Sequence, residues 1–348
     1  MTDSINSGTM DSSHWNGSMN GGGALLIVSQ NPEFDHIGGS FEQSAGNYSD
    51  YRTRAMINIG GERVGLRVAG EVEDRDSFFT NVGPAKSHPG NVDRLSLRGA
   101  IGGKVAPNVE LYIRGEYTRN NSDGLTGKPI PGDPDTALPY PIFGLFSPAA
   151  PYQLSRDVET KKNTEYFRIS GELRIDVADA FQLRSVTGYQ KGTVNFVNDL
   201  DGTSLPTRRQ QIDISEPVFT QEINLISNPG KAFDWVLGGF YLRQTTNGYV
   251  EVKNPISQAR DVEVFGRAET RNWGIFGQGT YHLNDSLNAT LGLRYNSEKH
   301  FTGSIADGKY VQLYFGGVAG PRLPLSTSPA EDKAMTGRFT LDYEASPD

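Results

Sequence analysis

The chain has 348 residues, enough for one large domain or two ordinary ones, and its 41 glycines, 15 tyrosines and 17 phenylalanines favour strands and turns over helices. It contains no cysteine, which excludes disulfides and thiolate metal sites, and its five histidines are scattered rather than paired at ligand spacing. The formal net charge of -8 argues against a nucleic-acid partner, because neutralising phosphates requires a basic surface.

The first 20 residues are rich in Ser, Asn, Gly and Asp, and they lack the basic and apolar regions of a secretory signal. No apolar run of about 18 residues follows, so the sequence predicts no transmembrane helix. The mean hydropathy is negative, as in soluble proteins. A membrane barrel has the same average, because its lipid-facing residues alternate with polar ones.

From about residue 38 onward, apolar residues recur with a period of two, which is typical of strands with one apolar and one polar face. Phe167, Ile169 and Leu173, for example, alternate with charged or polar neighbours. Twelve such segments are predicted, each about long enough to cross a bilayer when tilted. The predicted strands are 38–47, 51–60, 63–75, 92–104, 108–120, 163–177, 180–195, 209–227, 232–246, 265–283, 286–299 and 334–345.

Short turns built from Gly, Asn, Asp and Pro alternate with long connections along the chain. An up-and-down membrane barrel has tight turns at one end and long loops at the other, whereas a soluble sandwich is not expected to put every long loop at the same end. The sequence therefore predicts an all-β fold, an antiparallel up-and-down transmembrane β-barrel. The long connections are predicted at 76–91, 121–162, 196–208, 247–264 and 300–333.

Several phrases of the sequence carry a more specific signal. They are Gly22–Pro32, Gly46–Arg52, Arg67–Gly70, Leu183–Tyr189, Phe219–Leu225, Phe233–Tyr241, Ile275–Tyr281 and Leu291–Tyr295. Each resembles a phrase from the barrel of TonB-dependent receptors, particularly the iron-complex receptors, and Gly22–Pro32 resembles the exit from their plug domain. The phrases follow the family order and cover nearly all of residues 22–345.

The resemblance implies a fragment, because the family has a signal peptide, a TonB box, a plug and a barrel of about 22 strands. We expect residues 1–21 to be a disordered or out-of-family leader, 22–37 a remnant of the plug end and linker, and 38–348 a partial barrel of about 12 of those strands. A half barrel leaves two strand edges unpaired, so we expect this chain alone not to transport. Closure into a smaller barrel is left open.

The resemblance also implies a function. The parent protein is expected to import ferric siderophores or a similar scarce nutrient across the Gram-negative outer membrane, driven by the TonB complex acting through the plug. Outer-membrane lipid is a further expected partner; nucleic acid, cofactors, metals and catalytic residues are not expected, and the protein is not expected to be an enzyme. Two alternatives remain, a passive porin-like or structural outer-membrane barrel and a soluble carbohydrate-binding β protein.

Charged residues on the polar faces of the strands are the candidates for the barrel lumen. A purely structural interpretation is that these charges neutralise one another. Among the connections, the loop at 121–162 is the best candidate for a ligand-facing segment. The candidate lumen-facing residues are Arg67, Glu71, Arg98, Arg114, Glu116, Arg168, Glu172, Arg174, Glu222 and Arg294.

Overall fold

In the computed structural model, the described residues are 30–124, 127–128, 148, 150–177, 181–228, 230, 232–258, 260–284, 286–306 and 326–343. The predicted leader 1–21, the first half of the segment 22–37 (residues 22–29), the middle of the loop 121–162 and residues 344–348 lie outside them. The predictions made for those residues stay predictions.

Each of the twelve predicted strands is present, and two short strands are added in the connections. The bounds are β1 Ile37–Gly46, β2 Asp50–Gly60, β3 Val64–Arg75, β4 Thr80–Asn81, β5 Val92–Ala106, β6 Val109–Ser122, β7 Gln153–Leu154, β8 Lys161–Val177, β9 Phe181–Asp199, β10 Arg209–Ser227, β11 Phe233–Lys253, β12 Arg260–Asn284, β13 Leu287–Ala306 and β14 Ser326–Tyr343.

The twelve long strands form one sheet in the order β1-β2-β3-β5-β6-β8-β9-β10-β11-β12-β13-β14, in which every strand pairs with its neighbour in sequence. The pairs are antiparallel, from Ile37 opposite Ile59 between the first two strands to Leu287 opposite Tyr343 between the last two. The predicted all-β, up-and-down order is confirmed. Within the described ranges β1 and β14 are the two edges of the sheet, and no pairing closes it into a smaller barrel.

The two ends of the sheet differ, as predicted. At one end, called here the turn end, the connections are short; at the other, called the loop end, they are longer, apart from the three-residue connection between β1 and β2. The predicted loops 247–264 and 300–333 were too long, because β11 continues to Lys253, β12 begins at Arg260 and β13 continues to Ala306.

The outward-facing positions of β11 beyond Tyr241 begin with Arg243, Thr245 and Asn247, so the outward apolar pattern ends before the backbone pairing does. Valines continue in these extensions, but Val250 and Val252 lie on the opposite face, and the pattern that defines the membrane strands does not extend to them.

The two faces of the sheet have opposite character. One face, called the apolar face, carries exposed large hydrophobic side chains such as Ile57, Leu237 and Leu293. The other, called the polar face, carries polar and charged side chains, many of them buried among their neighbours. Asn58 and Glu172, for example, are 1% and 5% exposed. Soluble proteins bury the apolar face instead, so this sheet has the polarity of a wall between hydrocarbon and a polar interior. No helix in the described ranges has the length and apolarity to cross a membrane.

Aromatic side chains bound the apolar band at both ends. A charge placed midway between them tests whether the band faces lipid. Leu237 lies midway between Phe233 near the turn end and Tyr241 toward the loop end, and it is 52% exposed. We expect Leu237→Arg to lower the free energy of unfolding in lipid vesicles by about 2–4 kcal/mol, the cost of a cation at the bilayer midplane. Urea titration followed by tryptophan fluorescence measures it.

The matched control places the same charge on the polar face. Val186 lies opposite Glu172 on one neighbouring strand and Glu222 on the other. Val186→Arg is expected to change the free energy of unfolding far less, because a guanidinium there gains carboxylate neighbours. Equal losses in the two variants contradict the assignment of the faces.

Candidate site on the polar face and in the loops

An ion-pair network begins at Glu172, in the middle of the polar face. Arg174 Nη2 lies 2.7 Å and Arg184 Nε 2.9 Å from its Oε1 atom, and Arg114 Nη2 lies 3.2 Å from its Oε2 atom. Arg174 and Arg184 are opposite each other in the β8–β9 register, which aims both guanidiniums at the same carboxylate. A buried carboxylate with three guanidiniums satisfies the requirement that buried charges be paired.

Two further carboxylate centres lie on the same face. Glu116 lies 3.3 Å from Arg98 Nη2 and 2.8 Å from Arg168 Nη2. Glu71 lies 2.6 Å from Arg54 Nε, and the adjacent Glu73 is paired with other arginines. Alternating acids and bases thus run across the strands, which holds neighbouring strands in register through charge-assisted hydrogen bonds.

By strand register, the ten predicted residues lie on the polar face, but they form several groups rather than one site. Arg98, Glu116 and Arg168 form one cluster and Arg114, Glu172 and Arg174 another, while Glu71 belongs to a third. Glu222 accepts a hydrogen bond from Asn224 Nδ2 (2.6 Å), and the Arg294 guanidinium lies 4.9 Å from the centre of the Phe240 ring. Sequence reasoning missed Arg52, Arg54, Glu73, Arg94 and Arg184, which have the same alternation within their strands.

The segment that precedes β1 crosses the polar face at the turn end. Arg67 contacts Gln30 Oε1 (3.0 Å) and Glu33 Oε1 (3.2 Å), and Arg114 donates two hydrogen bonds to Asn31 Oδ1. The buried Asn58 side chain completes the attachment: its Oδ1 accepts from the Glu33 N–H, and its Nδ2 donates to the carbonyls of Glu33 and His36. Two predicted lumen-facing arginines therefore hold a chain segment against the wall.

At the loop end, three consecutive connections pack together into what we call the loop layer, residues 77–91, 150–160 and 199–208. Strands β4 and β7 pair in parallel there, and Leu154 is fully buried while Val158 is 5% exposed. Gly83 approaches the Arg156 backbone so closely that a Cβ atom would lie 2.3 Å from the Arg156 nitrogen. Only glycine fits at that position without displacing the layer.

The loop layer encloses a group of charged side chains formed by Arg156, Asp157, Asp199 and Asp201. Asp199 Oδ1 accepts the Gly202 N–H (3.0 Å), and Asp201 Oδ1 accepts the Thr203 N–H (2.9 Å). Burial and the neighbouring Asp201 and Asp157 carboxylates raise the pKa of Asp199 to about 7, although the Arg156 charge opposes the rise. Burial and Asp201 likewise raise the pKa of Asp157 to about 6, and burial lowers the pKa of Arg156.

Metal binding by these side chains is not indicated. In the part of the chain that the structure describes, no group of three or more His, Asp or Glu residues is arranged to hold a metal ion. The carboxylates of the polar face instead contact guanidinium groups, and those of the loop layer contact backbone N–H and hydroxyl groups.

A family comparison agrees with this geometry. Residues 98–348 match the family model described as TonB dependent receptor-like, beta-barrel. No curated protein matches the chain.

Solved structures with the same fold are distant in sequence. The ferric yersiniabactin uptake receptor FyuA from Yersinia pestis has a TM-score of 0.69 at 12% identity over 92% of this chain and 46% of its own. The ferric-catecholate import receptor Fiu from E. coli K12, in its closed form, has 0.66 at 15% identity over 93% and 50%. The copper transporter OprC has 0.61 at 12% identity over 92% and 45%. The chain spans about half the length of these structures.

The Glu172 network predicts a measurable stabilisation. Glu172→Gln leaves Arg114, Arg174 and Arg184 facing one another without a carboxylate, so we expect it to lower the free energy of unfolding by about 3 kcal/mol. Glu110→Gln is the control, because Glu110 is more exposed and lies 3.8 Å from Arg174. That variant should cost under about 1 kcal/mol. Similar losses in urea titrations of the two variants contradict a special role for Glu172.

The raised pKa of Asp199 predicts a pH-dependent loop layer. A carboxyl group whose pKa is higher in the folded state stabilises that state at low pH and loses this contribution as the pH rises, here from about 4 to about 7. Protection of the loop layer from proteolysis should therefore fall over that range. Asp199→Asn keeps the acceptor for Gly202 and removes the charge, so its protection at pH 8 should be at least about tenfold higher than in the wild type.

The control for this experiment is Asp261→Asn at the start of β12, which removes a partly exposed carboxylate 3.5 Å from Arg208 at the margin of the loop layer. We expect it to leave the pH profile of the loop layer unchanged. A wild-type profile that is flat between pH 4 and 8 would contradict the burial of an ionised Asp199.

Proposed function

Since the chain belongs to the TonB-dependent receptor family through its β-barrel domain, we propose that it forms wall and external loops of a receptor that takes up ferric siderophores or a similar scarce nutrient. The family comprises receptors and transporters of the Gram-negative outer membrane rather than a class of enzymes. The loop end then faces outward and the turn end faces the periplasm. The proposed energy source is the TonB complex, acting through a plug domain.

The observation that carries this proposal is the polar face, where charged side chains are buried among their neighbours. The opposite face of the same sheet is apolar and suits contact with lipid. A structural barrel needs only an apolar exterior, whereas this wall places acid and base side chains such as Arg168, Glu116 and Glu172 along its inner side. A polar interior suits the passage of a hydrated or charged solute. Arg67 and Arg114 bind the segment Gln30–Glu33, where the resemblance expects the plug linker.

An aromatic cluster at the loop end is the proposed first contact for the ligand. The Phe78 ring centre lies 4.6 Å from that of Phe79, 6.0 Å from that of Tyr48 and 6.1 Å from that of Tyr152. The Arg75 guanidinium lies 5.6 Å from the Phe78 ring centre. Tyr48 and Tyr152 are 57% and 64% exposed, so aromatic surface beside a cation is available to an external ligand. Planar anionic chelates suit such a surface.

The solved structures with this fold differ in the ligand that their descriptions name. FyuA and Fiu are described as ferric-siderophore receptors, of yersiniabactin and catecholate type, and OprC as a copper transporter. A ferric siderophore is our first choice because of the aromatic cluster, and a copper complex is the nearest competitor. The alternative of a soluble carbohydrate-binding protein conflicts with the exposed apolar face and the family match.

Energy dependence separates active uptake from a passive porin. We expect a strain that makes the protein to accumulate one of a panel of iron-55 chelates, namely citrate, a catecholate and a hydroxamate, and to lose that uptake on gene deletion or addition of a protonophore. A passive porin has no energy requirement in the outer membrane, so uptake that persists with the protonophore and does not saturate contradicts the proposal. A copper-64 complex tests the competing ligand.

The aromatic cluster can be tested in the same strain. Tyr152→Ala removes exposed contact area, so we expect the half-saturating concentration of the transported chelate to rise about tenfold, which corresponds to about 1.4 kcal/mol. Ile256→Ala is the matched control, because Ile256 is also exposed in an external connection (74%) but lies outside the cluster. An equal effect of the two variants excludes the cluster as the contact site.

A further inference from the structure

The apolar face changes abruptly toward the loop end of β11 to β14. Tyr241, Trp273 and Tyr295 mark the edge of the apolar band, and the Trp273 and Tyr295 ring centres are 5.7 Å apart. The next outward-facing position on β11 and β12 is an arginine in both strands, Arg243 and Arg271, which are opposite each other. Cations therefore begin directly where the hydrocarbon-facing surface ends.

Three of these cations converge on one carboxylate. Arg271 Nε lies 2.5 Å from Glu269 Oε1, while Arg243 Nη2 and Arg267 Nη2 each lie 3.3 Å from Glu269 Oε2. The Glu269 side chain is 10% exposed, but the three arginine side chains are 46–56% exposed. The carboxylate is thus the buried anchor of a guanidinium cluster whose other donors face outward.

A second cluster continues the first across β13 and β14. Lys299 Nζ lies 3.6 Å and Lys333 Nζ 3.0 Å from the Glu331 carboxylate. Arg271 is opposite Lys299, and Lys299 is opposite Glu331, so the two clusters form one continuous surface. We call it the basic row: Arg243, Arg267, Arg271, Lys299 and Lys333 with Glu269 and Glu331. Its five cations and two carboxylates leave three positive charges in excess.

The shape of the surface also suits a bound anion. A groove of about 670 Å³ runs between the strands and is lined by Arg267, Arg271, Lys299 and Phe301, among others. Guanidinium groups present paired donors that match phosphate oxygens, and lysine adds a flexible point charge.

At the same height above the apolar band, β5 to β9 carry a different distribution of charged side chains. Between the aromatic edge of β5 to β9 and the loop layer, the outward-facing charged side chains are Asp93, Arg119, Lys161, Glu165 and Lys191. Arg119 lies 3.5 Å from Asp93 and is opposite Glu165, so acids and bases alternate there and leave one positive charge in excess, against three in the basic row. The larger positive excess is therefore a local feature of β11 to β14.

The position of the basic row indicates which kind of partner it can bind. The basic row faces away from the polar face, so a solute inside the barrel cannot reach it, and it lies at the level where lipid headgroups meet an outer-membrane barrel. We propose that the basic row binds the phosphate-bearing headgroup of an outer-leaflet lipid. The guanidinium cluster on Glu269 and the lysine pair on Glu331 then hold the phosphate from two sides of the groove.

Lipid retention by the full-length protein, purified in detergent from the outer membrane of its own cells, tests this proposal. Phosphorus analysis and mass spectrometry of the washed protein should find phosphorylated lipid at about one molecule per chain. Arg267→Gln combined with Arg271→Gln and Lys299→Gln should reduce that amount at least about fivefold. These side chains are half-exposed, so the triple variant is expected to fold. Measurements of its protease resistance and thermal unfolding check that it does.

Lys191→Gln is the matched control, because Lys191 faces outward beyond the aromatic edge of β9 but lies outside the basic row. It should retain as much lipid as the wild type. Equal retention by the folded triple variant overturns the proposal. So does loss of the wild-type lipid on washing with millimolar inorganic phosphate, which identifies an adventitious anion site instead. Neither outcome depends on the transported ligand, so the proposed uptake function is tested separately.

Discussion

Backbone hydrogen bonding inside a bilayer is the constraint on which the rest of this structure depends. An N–H or C=O group left unpaired in hydrocarbon costs several kcal/mol, so the chain crosses as antiparallel strands that pair on both sides. Strand β9, for example, pairs with β8 along one edge and with β10 along the other. Once the strands are fixed, successive side chains must point to opposite faces, and the period of two in the sequence follows.

The same constraint inverts the usual distribution of polarity. Leu237 and Ile223 are about half exposed because lipid covers that face, whereas Glu172, Asn224 and Arg294 are covered by their neighbours on the other. Covered charges need partners, which explains why arginines and glutamates stand opposite or diagonal to each other in the register. The loop layer lies outside the hydrocarbon and combines both patterns, since Leu154 and Val158 are buried there beside a group of buried carboxylates.

Strand number, order and faces could be predicted because one physical period governs residues that are close in sequence. The strand ends at Lys253, Arg260 and Ala306 could not, because beyond the membrane the outward-facing positions become polar or charged and the valines lie on the opposite face, so the pattern that marks the membrane strands ends early. The contact of Gly83 with Arg156 and the pairing of β4 with β7 join residues about 75 positions apart in loops without a period. The candidate site was predicted as a face, but its division into clusters around Glu172, Glu116 and Glu71 depends on side-chain reach.

At the two edges of the sheet, the described residues leave backbone N–H and C=O groups without a neighbouring strand. On the apolar face, Phe41 of β1 and Met335 of β14 are both 73% exposed, against 47% for Leu293 and 49% for Ile223 in strands with two neighbours. The difference arises because each edge strand has one neighbouring strand instead of two, and among the described residues no strand pairs with the backbone groups along its outer flank. Any membrane-inserted form must therefore pair the outer flanks of β1 and β14, with each other or with further strands, and the length of β14 makes its edge the more demanding of the two. Whatever strand meets β14 also borders Glu331 and Lys333, so it completes one end of the basic row as well as the hydrogen bonding of the wall.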